Sequence, residues 1–315
     1  MKYNDMKTLT NQSDYTHHFW NLMRGSQTAK EKITQGRSID TGAYFIPSCF
    51  ADKYEKAIVK QSIFRSVGSV FTSYDSPSQL FLTDADDLAE FIPEFGGIDI
   101  KEVANDFAKV SLNSKKLATL LRLSNEFIAD AAFDLENYLV QRLAKSFALA
   151  EDKSFVVGTG TNEPIGILHD TKGADVAVAT SEVSYDDIVK LYFSVKPQYR
   201  SNAVWLMNDE TALAIRKIKD ADGNYLWCDR DHTVLGKKVI ICEHMPNAIA
   251  GAKPIAFGDF TYYWIVKRSP ISVRILKELF ALRGHTGYLA FEFIDGKLIR
   301  LDAVKVIQMN TELVG

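Results

Sequence analysis

The chain has 315 residues, of which 46% are hydrophobic and 24% charged. Those are globular proportions, with material for one large core or two lobes, and they exclude a fibre or a disordered chain. The formal net charge of −3 gives nucleic acid no global attraction, so sequence-specific DNA binding is not expected and any DNA contact would come from local patches or enclosure. Cys49, Cys228 and Cys242 are too few and too scattered for a disulfide framework or a paired-cysteine metal site, and read as packed cytosolic thiols. The amino terminus lacks the apolar run of a signal peptide and no stretch approaches the length of a membrane span, so a soluble protein made inside the cell is expected.

Residues 1–42 form a polar arm with six basic residues against four acidic ones. Within it, Tyr15, Phe19, Leu22 and Met23 approximate helical spacing after Ser13, which predicts a helix over 13–24 capped by that serine. Such an arm either completes its core against a neighbour or frays as a terminus. Phe50, Tyr54, Ala57 and Ile58 predict one face of a helix over 50–60. From Tyr74 to Ile100 the chain has seven acidic residues and no lysine or arginine. Apolar residues, Phe81, Leu82 and Phe91 among them, are interleaved with Pro77, Pro93 and Gly96-Gly97 as punctuation. Asp84-x-Asp86-Asp87 fails the calcium-loop pattern, because the sharp-turn glycine and the closing glutamate are missing. A projecting two-stranded hairpin explains the segment better.

Leu112–Ser124 alternates as a strand does, and Asp134 then reads as the N-cap of a long amphipathic helix. Leu135, Leu139, Leu143 and Phe147 supply its buried stripe, and Glu136, Gln141, Arg142, Lys145 and Ser146 its opposite face. Gly158-Thr159-Gly160 is a turn: it lacks the third glycine of a dinucleotide loop and the lysine ending of a phosphate loop. Ser184-x-x-Asp187 is a capping box for a helix with Ile188, Leu191, Tyr192 and Val195 on one face, ending at Pro197. Val204–Met207 reads as a buried strand, Asn208 as the cap of a helix over 209–218, residues 220–224 as a turn, and Val239–Cys242 as a strand. The last third alternates over 262–266 and 272–276. A long hairpin of 288–294 and 297–308, turning at Asp295-Gly296, is expected to carry the long helix.

No catalytic constellation emerges. His17, His18, His169, His232, His244 and His285 show no metal-ligand spacing, and no nucleophile elbow is present, so no catalytic, cofactor or metal site is expected.

The run over 112–168 contains, in order, Lys116-Leu117-Ala118, Ser124, Glu126-Phe127-Ile128, Asp130, Leu139, Leu143-Ala144, Glu151-Asp152, Gly158, Gly160, Pro164 and Gly166-Ile167-Leu168. With those residues in that order it resembles the major capsid protein family of tailed bacteriophages. The resemblance implies an α+β, Hong Kong ninety-seven-like capsid fold. It divides into an amino-terminal arm (1–42), a lead-in to the peripheral domain (43–73), an extended loop (74–106), a peripheral domain with a spine helix (107–179), an axial domain (180–251) and a β-sheet return to the peripheral domain (252–315). It further implies homo-pentamers and homo-hexamers that tile an icosahedral shell around double-stranded DNA. The partners would be a portal protein, separate scaffolding and decoration proteins and packaged DNA, with no membrane, and the virion would be its location after synthesis in the host cytoplasm. The alternative within the fold is an encapsulin-like nanocompartment loaded with an enzyme; the rival outside it is a soluble enzyme or binding protein of unrelated α+β fold.

Two departures from the family pattern carry expectations. The capsid-like part begins by about residue 42, which leaves no room for a long scaffolding segment, so the expectation is that either a separate scaffolding protein serves assembly or none is needed. Residues 74–100 have no lysine, Lys101 standing at the base of the loop, and Thr286–Glu292 have no asparagine, so the isopeptide cross-link of some members is expected to be absent. The one-signed charge of the loop asks for a basic partner. Phe81, Leu82, Asp84, Asp86, Asp87 and Phe91 are the candidate contact residues, and Lys115, Lys116, Arg122, Arg142 and Lys145 of a neighbouring copy the candidate basic surface.

Overall fold

A computed structural model describes residues 8–36, 43–73, 78–83, 107–130, 132–219, 222, 223, 225, 227 and 232–311. In chain order its helices are α1 (Ser13–Met23), α2 (Gln27–Lys32), α3 (Ser48–Gln61), α4 (Ile63–Val67), α5 (Asn125–Ala129), α6 (Leu135–Val157), α7 (Tyr185–Ser194), α8 (Pro197–Arg200) and α9 (Asp209–Arg216). Its strands are β1 (Tyr44–Phe45), β2 (Ser69–Thr72), β3 (Ser78–Thr83), β4 (Phe107–Leu112), β5 (Lys115–Ser124), β6 (Asp175–Thr180), β7 (Val204–Met207), β8 (Thr233–Val234), β9 (Lys237–Ile241), β10 (Ile255–Gly258), β11 (Tyr263–Leu276), β12 (His285–Leu298) and β13 (Val304–Met309).

The first sheet has the order β1-β11-β12-β5, with β2 also paired to β11, and the second has the order β6-β13-β10-β7-β9-β8. The long helix α6 lies on the inner face of the first sheet, where Leu139, Leu143, Ala144 and Phe147 share a core with Leu123, Val273, Tyr288 and Ala290. Its start follows from the sequence: the Asp134 carboxylate accepts the Asn137 N–H at 3.0 Å and meets one of the helix's four unpaired donors. In α7 both halves of the Ser184/Asp187 capping box are formed, and the Asn208 side chain accepts the Thr211 N–H at 2.8 Å to open α9.

The arm helix α1 packs into the same core as α6. Tyr15, Phe19, Leu22 and Met23 are all buried there, each such side chain being worth ~1.5–3 kcal/mol relative to exposure. Of the two readings of the arm, the described part fits neither, because its apolar face is covered by the chain's own α3 and first sheet. Ser13 does not cap the helix; Gln12 holds that position, with no side-chain hydrogen bond to the first turn.

The hairpin expected at Asp295-Gly296 is not formed. β12 runs unbroken through both residues, paired with β11 at Val266↔Asp295 and Ile265↔Gly296. The chain reverses earlier, through the short 3₁₀ helix Glu278–Arg283 and Gly284. Tertiary contacts override the local turn signal: the Asp295 carboxylate accepts the Asn113 N–H at 2.7 Å. Gly296 is there for close approach, since a Cβ would come within 2.8 Å of the Tyr263 hydroxyl and 2.9 Å of the Phe155 ring. The two strands expected at 262–266 and 272–276 are one, β11, with register shifts between Lys267 and Ser272. β13 leaves the first sheet altogether and lies between β6 and β10 in the second, so the stretch 252–315 is shared between the sheets.

Candidate functional site

Where α6 meets α3, α4 and β12, the interior holds charge instead of hydrocarbon. Arg65 of α4 donates through Nε and a terminal nitrogen to the two oxygens of Glu151 at 2.7 and 2.8 Å, and through the latter nitrogen to Glu292 of β12 at 2.8 Å. The Tyr54 hydroxyl of α3 donates to the other Glu292 oxygen at 2.8 Å. At the rim, Glu55 accepts from Arg65 at 3.3 Å and pairs with Lys267 of β11. The neighbouring Asp152 has a different task. It accepts the Ser62 hydroxyl and the N–H groups of Ile63 and Phe64 at 2.8, 2.8 and 3.1 Å, capping α4 from the side of another helix. Burial pushes the Asp152 carboxyl up against the pull of those donors. The Glu-Asp pair of the family-like run is therefore a clamp: one carboxylate holds the Arg65 guanidinium, the other the amino end of the helix that carries it.

The rest of the run serves the same junction. After α6 the chain doubles back, with Thr159 bridged to Ile165. Ile167 sits fully buried among Phe64, Phe155, Phe260 and Val304, in the core that joins the two sheets. Ser124 caps α5 by accepting the Phe127 N–H.

The predicted contact residues are placed unevenly. β3 and β4 pair antiparallel with Phe81 opposite Lys109 and Leu82 opposite Ala108, so Phe81 and Leu82 lie on one arm of a hairpin. Asp84, Asp86, Asp87 and Phe91 fall outside the described residues, as do residues 220, 221 and 224 of the predicted turn.

The five basic candidates do not share one surface. Alternation along β5 turns Lys116, Ala118, Leu120 and Arg122 outward, with Lys116 4.2 Å from the Phe291 ring centre and Arg122 6.0 Å from that of Phe280. Lys115 points the other way and donates to the carbonyls of Gly160 and Thr161 at 3.2 and 2.7 Å. Arg142 and Lys145 stand on the exposed side of α6. Two further cations belong with Lys116 and Arg122: Arg274, opposite Leu289 on the outward register of β11, and Arg268, 5.6 Å from the outward Phe293 ring. Sequence reading missed both because the bulge in β11 broke its alternation. Arg65, Glu292 and Tyr54 were missed because their partners are far away in the chain and no local spacing signals them.

Among the described residues no His, Cys, Asp and Glu side chains gather as a metal ion would require, and no helix is long and apolar enough to cross a membrane.

Comparison with known proteins converges on one kind of relative. A family model described as "Phage capsid family" matches residues 42–309. The major capsid protein of Klebsiella oxytoca phage phiKO2 is 25% identical over 195 residues, 57% of this chain and 45% of that protein; the match thus spans about half the length of that relative. Among solved structures, the capsid of a native GTA particle superposes with a TM-score of 0.65 at 30% identity, covering 78% of this chain and 89% of that one. Gordonia phage Cozz gives 0.58 at 14% identity over 80% and 87% of the two chains, a likeness of fold alone.

Proposed function

Because the chain belongs to the phage capsid family, we propose that it is the major capsid subunit of a tailed phage, assembling as pentamers and hexamers into an icosahedral shell around double-stranded DNA. Its α+β fold is that of Hong Kong ninety-seven-like capsids. The family match over 42–309 carries the reading. In this assignment the first sheet with α1, α3 and α6 is the peripheral domain, the second sheet is the axial domain, and residues 74–106 are the extended loop. Packaged DNA is held without sequence specificity, by enclosure or local patches, a reading that the net charge of −3 supports. The portal, scaffolding and decoration proteins are the remaining partners, and the virion is the destination. The enzyme-loading nanocompartment is not favoured, since the relatives are phage and particle capsids. Electron microscopy of the purified protein, alone and with its scaffolding partner, is expected to show capsomers or closed shells. A protein that stays monomeric at high concentration in both settings would refute the assignment.

The outward face of the first sheet supports a specific contact. Lys116, Arg122, Arg268 and Arg274 give it a positive character with apolar Leu120, Leu289 and Phe293 between them, the complement of an acidic loop studded with Phe and Leu. Single exposed ion pairs are worth only ~0.2–1 kcal/mol, so the contact depends on several at once. Asp84→Lys, Asp86→Lys and Asp87→Lys combined are expected to abolish or strongly reduce shell yield in sedimentation while the circular dichroism of the subunit is unchanged. Wild-type yields from this variant would remove the loop from the interface.

A further inference from the structure

The Arg65 cluster has an arithmetic that ordinary ion pairs lack. Its three central side chains are sealed from solvent, at 1% exposure for Arg65, 0% for Glu151 and 1% for Glu292, so two buried carboxyl groups face one buried guanidinium. The surrounding charges are already engaged. From α3, Tyr54 donates to Glu292, and Glu55 sits 39% exposed at the rim. Lys267 of β11 pairs with that same Glu55, and Asp152, the next residue of α6, is taken up by the α4 amino end, with His244 also acting on it electrostatically. Glu151 is left with Arg65 alone, and it must share that guanidinium with Glu292. An uncompensated charge at such depth is costly, and the cheaper state is a neutral carboxylic acid.

We infer that the cluster is a proton-responsive brace: Glu151 carries a proton in the folded subunit at mildly acidic pH and gives it up as the medium turns alkaline, which weakens the tie between α4 and α6. The shifts run in the same sense. Burial, only partly offset by Arg65, pushes the Glu151 carboxyl up to about 7, and the nearby Glu292 and Asp152 add to it. Burial also pulls Glu292 up, but Arg65, Lys267 and the Tyr54 hydroxyl together outweigh it and hold that carboxyl below its ordinary value.

The sign follows from linkage. Glu151 titrates higher in the folded chain than the ~4.3 of an unfolded one, so its contribution to stability is fully present below that unfolded value and is lost as pH rises through about 7. Glu292 acts in the opposite sense. Its contribution is present above the ordinary carboxylate range and is lost as pH falls through its lowered value. The brace is tightest between the two, with one proton aboard and no net charge on the central three groups.

Two measurements on the full chain decide it. Infrared difference spectra in heavy water at about pH 6 are expected to show a protonated carboxyl band, absent from Glu151→Gln. The band should also be absent from Glu292→Gln, where Arg65 is left to Glu151 alone and the acid ionises. Calorimetry is expected to show the wild-type melting midpoint falling by a few degrees between about pH 5 and pH 7.5, a fall that Glu151→Gln lacks. A wild-type spectrum without the band, or a Glu151→Gln protein with the same pH slope, would overturn the inference. Should Glu151→Gln not fold, the wild-type band and its loss in Glu292→Gln still decide the matter.

Discussion

Arg65→Met is expected to destabilise the subunit by about 3–5 kcal/mol, the range for removing one member of a buried charge network. Methionine keeps most of the stem's volume, so the loss isolates the guanidinium. Glu151 and Glu292 would then face each other with no guanidinium between them, the Tyr54 hydroxyl being the one hydrogen-bond donor left to Glu292 among the cluster's groups and the Lys267 ammonium, paired with Glu55, the one cation near it. Either both take up protons or the α4–α6–β12 junction opens. Urea unfolding should show the lowered midpoint, and the deficit should shrink on acidification, because protonation removes the repulsion. Lys53→Ala is the contrasting case. It breaks the Lys53–Glu136 pair on the surface and should stay within about 1 kcal/mol of wild type. Equal effects from the two would mean that the interior cluster is solvated and the junction is held by its hydrocarbon alone.

The difference between these residues is also the difference between what a sequence discloses and what it hides. α6, α7, β7 and α9 were legible because their signals are local: an Asp134, Ser184 or Asn208 side chain meets a backbone N–H three residues on, followed by apolar residues at the period of a helix. The spatial partners were not legible. Arg65 reaches Glu151 and Glu292 across 86 and 227 residues, and nothing near it in the chain announces either. Asp295-Gly296 misled for a related reason. The dipeptide has the chemistry of a tight turn, yet its carboxylate is satisfied by Asn113 and its missing side chain makes room for Tyr263 and Phe155, contacts that exist only once the sheet is formed. In the arm, the apolar spacing of Tyr15, Phe19 and Leu22 predicts the helix correctly, while the surface that covers it is built by α3 and β11, which lie far along the chain. For the candidate contact surface, alternation on β5 separates Lys115 from Lys116, and only the register of β11 against β12 brings Arg274 to the same face as Arg122.

Gly166→Ala is expected to cost about 1–3 kcal/mol or more by overpacking, although it adds a single methyl group at an ordinary backbone conformation. After α6 the chain folds back so closely that Gly166 donates to the Gly158 carbonyl at 2.9 Å, Ile167 to Phe155 at 2.8 Å and Leu168 to Val156 at 3.0 Å. A Cβ at position 166 would lie 2.5 Å from both the Gly158 nitrogen and the Val156 oxygen. Both are backbone atoms of the helix end and its turn, so no side chain can swing aside to relieve the clash. The returning segment must move, and Ile167 moves with it. That residue is fully buried at the junction of the two sheets, beside Phe155, Phe260 and Val304, so the cost arises where the sheets are joined rather than at a surface turn. Thermal unfolding of Gly166→Ala against Asn162→Ala, an exposed position in the same turn, isolates the effect, since such surface changes usually stay within about 0.5 kcal/mol. If the two variants melt together, the close approach of the returning segment to the helix end is not what holds the sheets together.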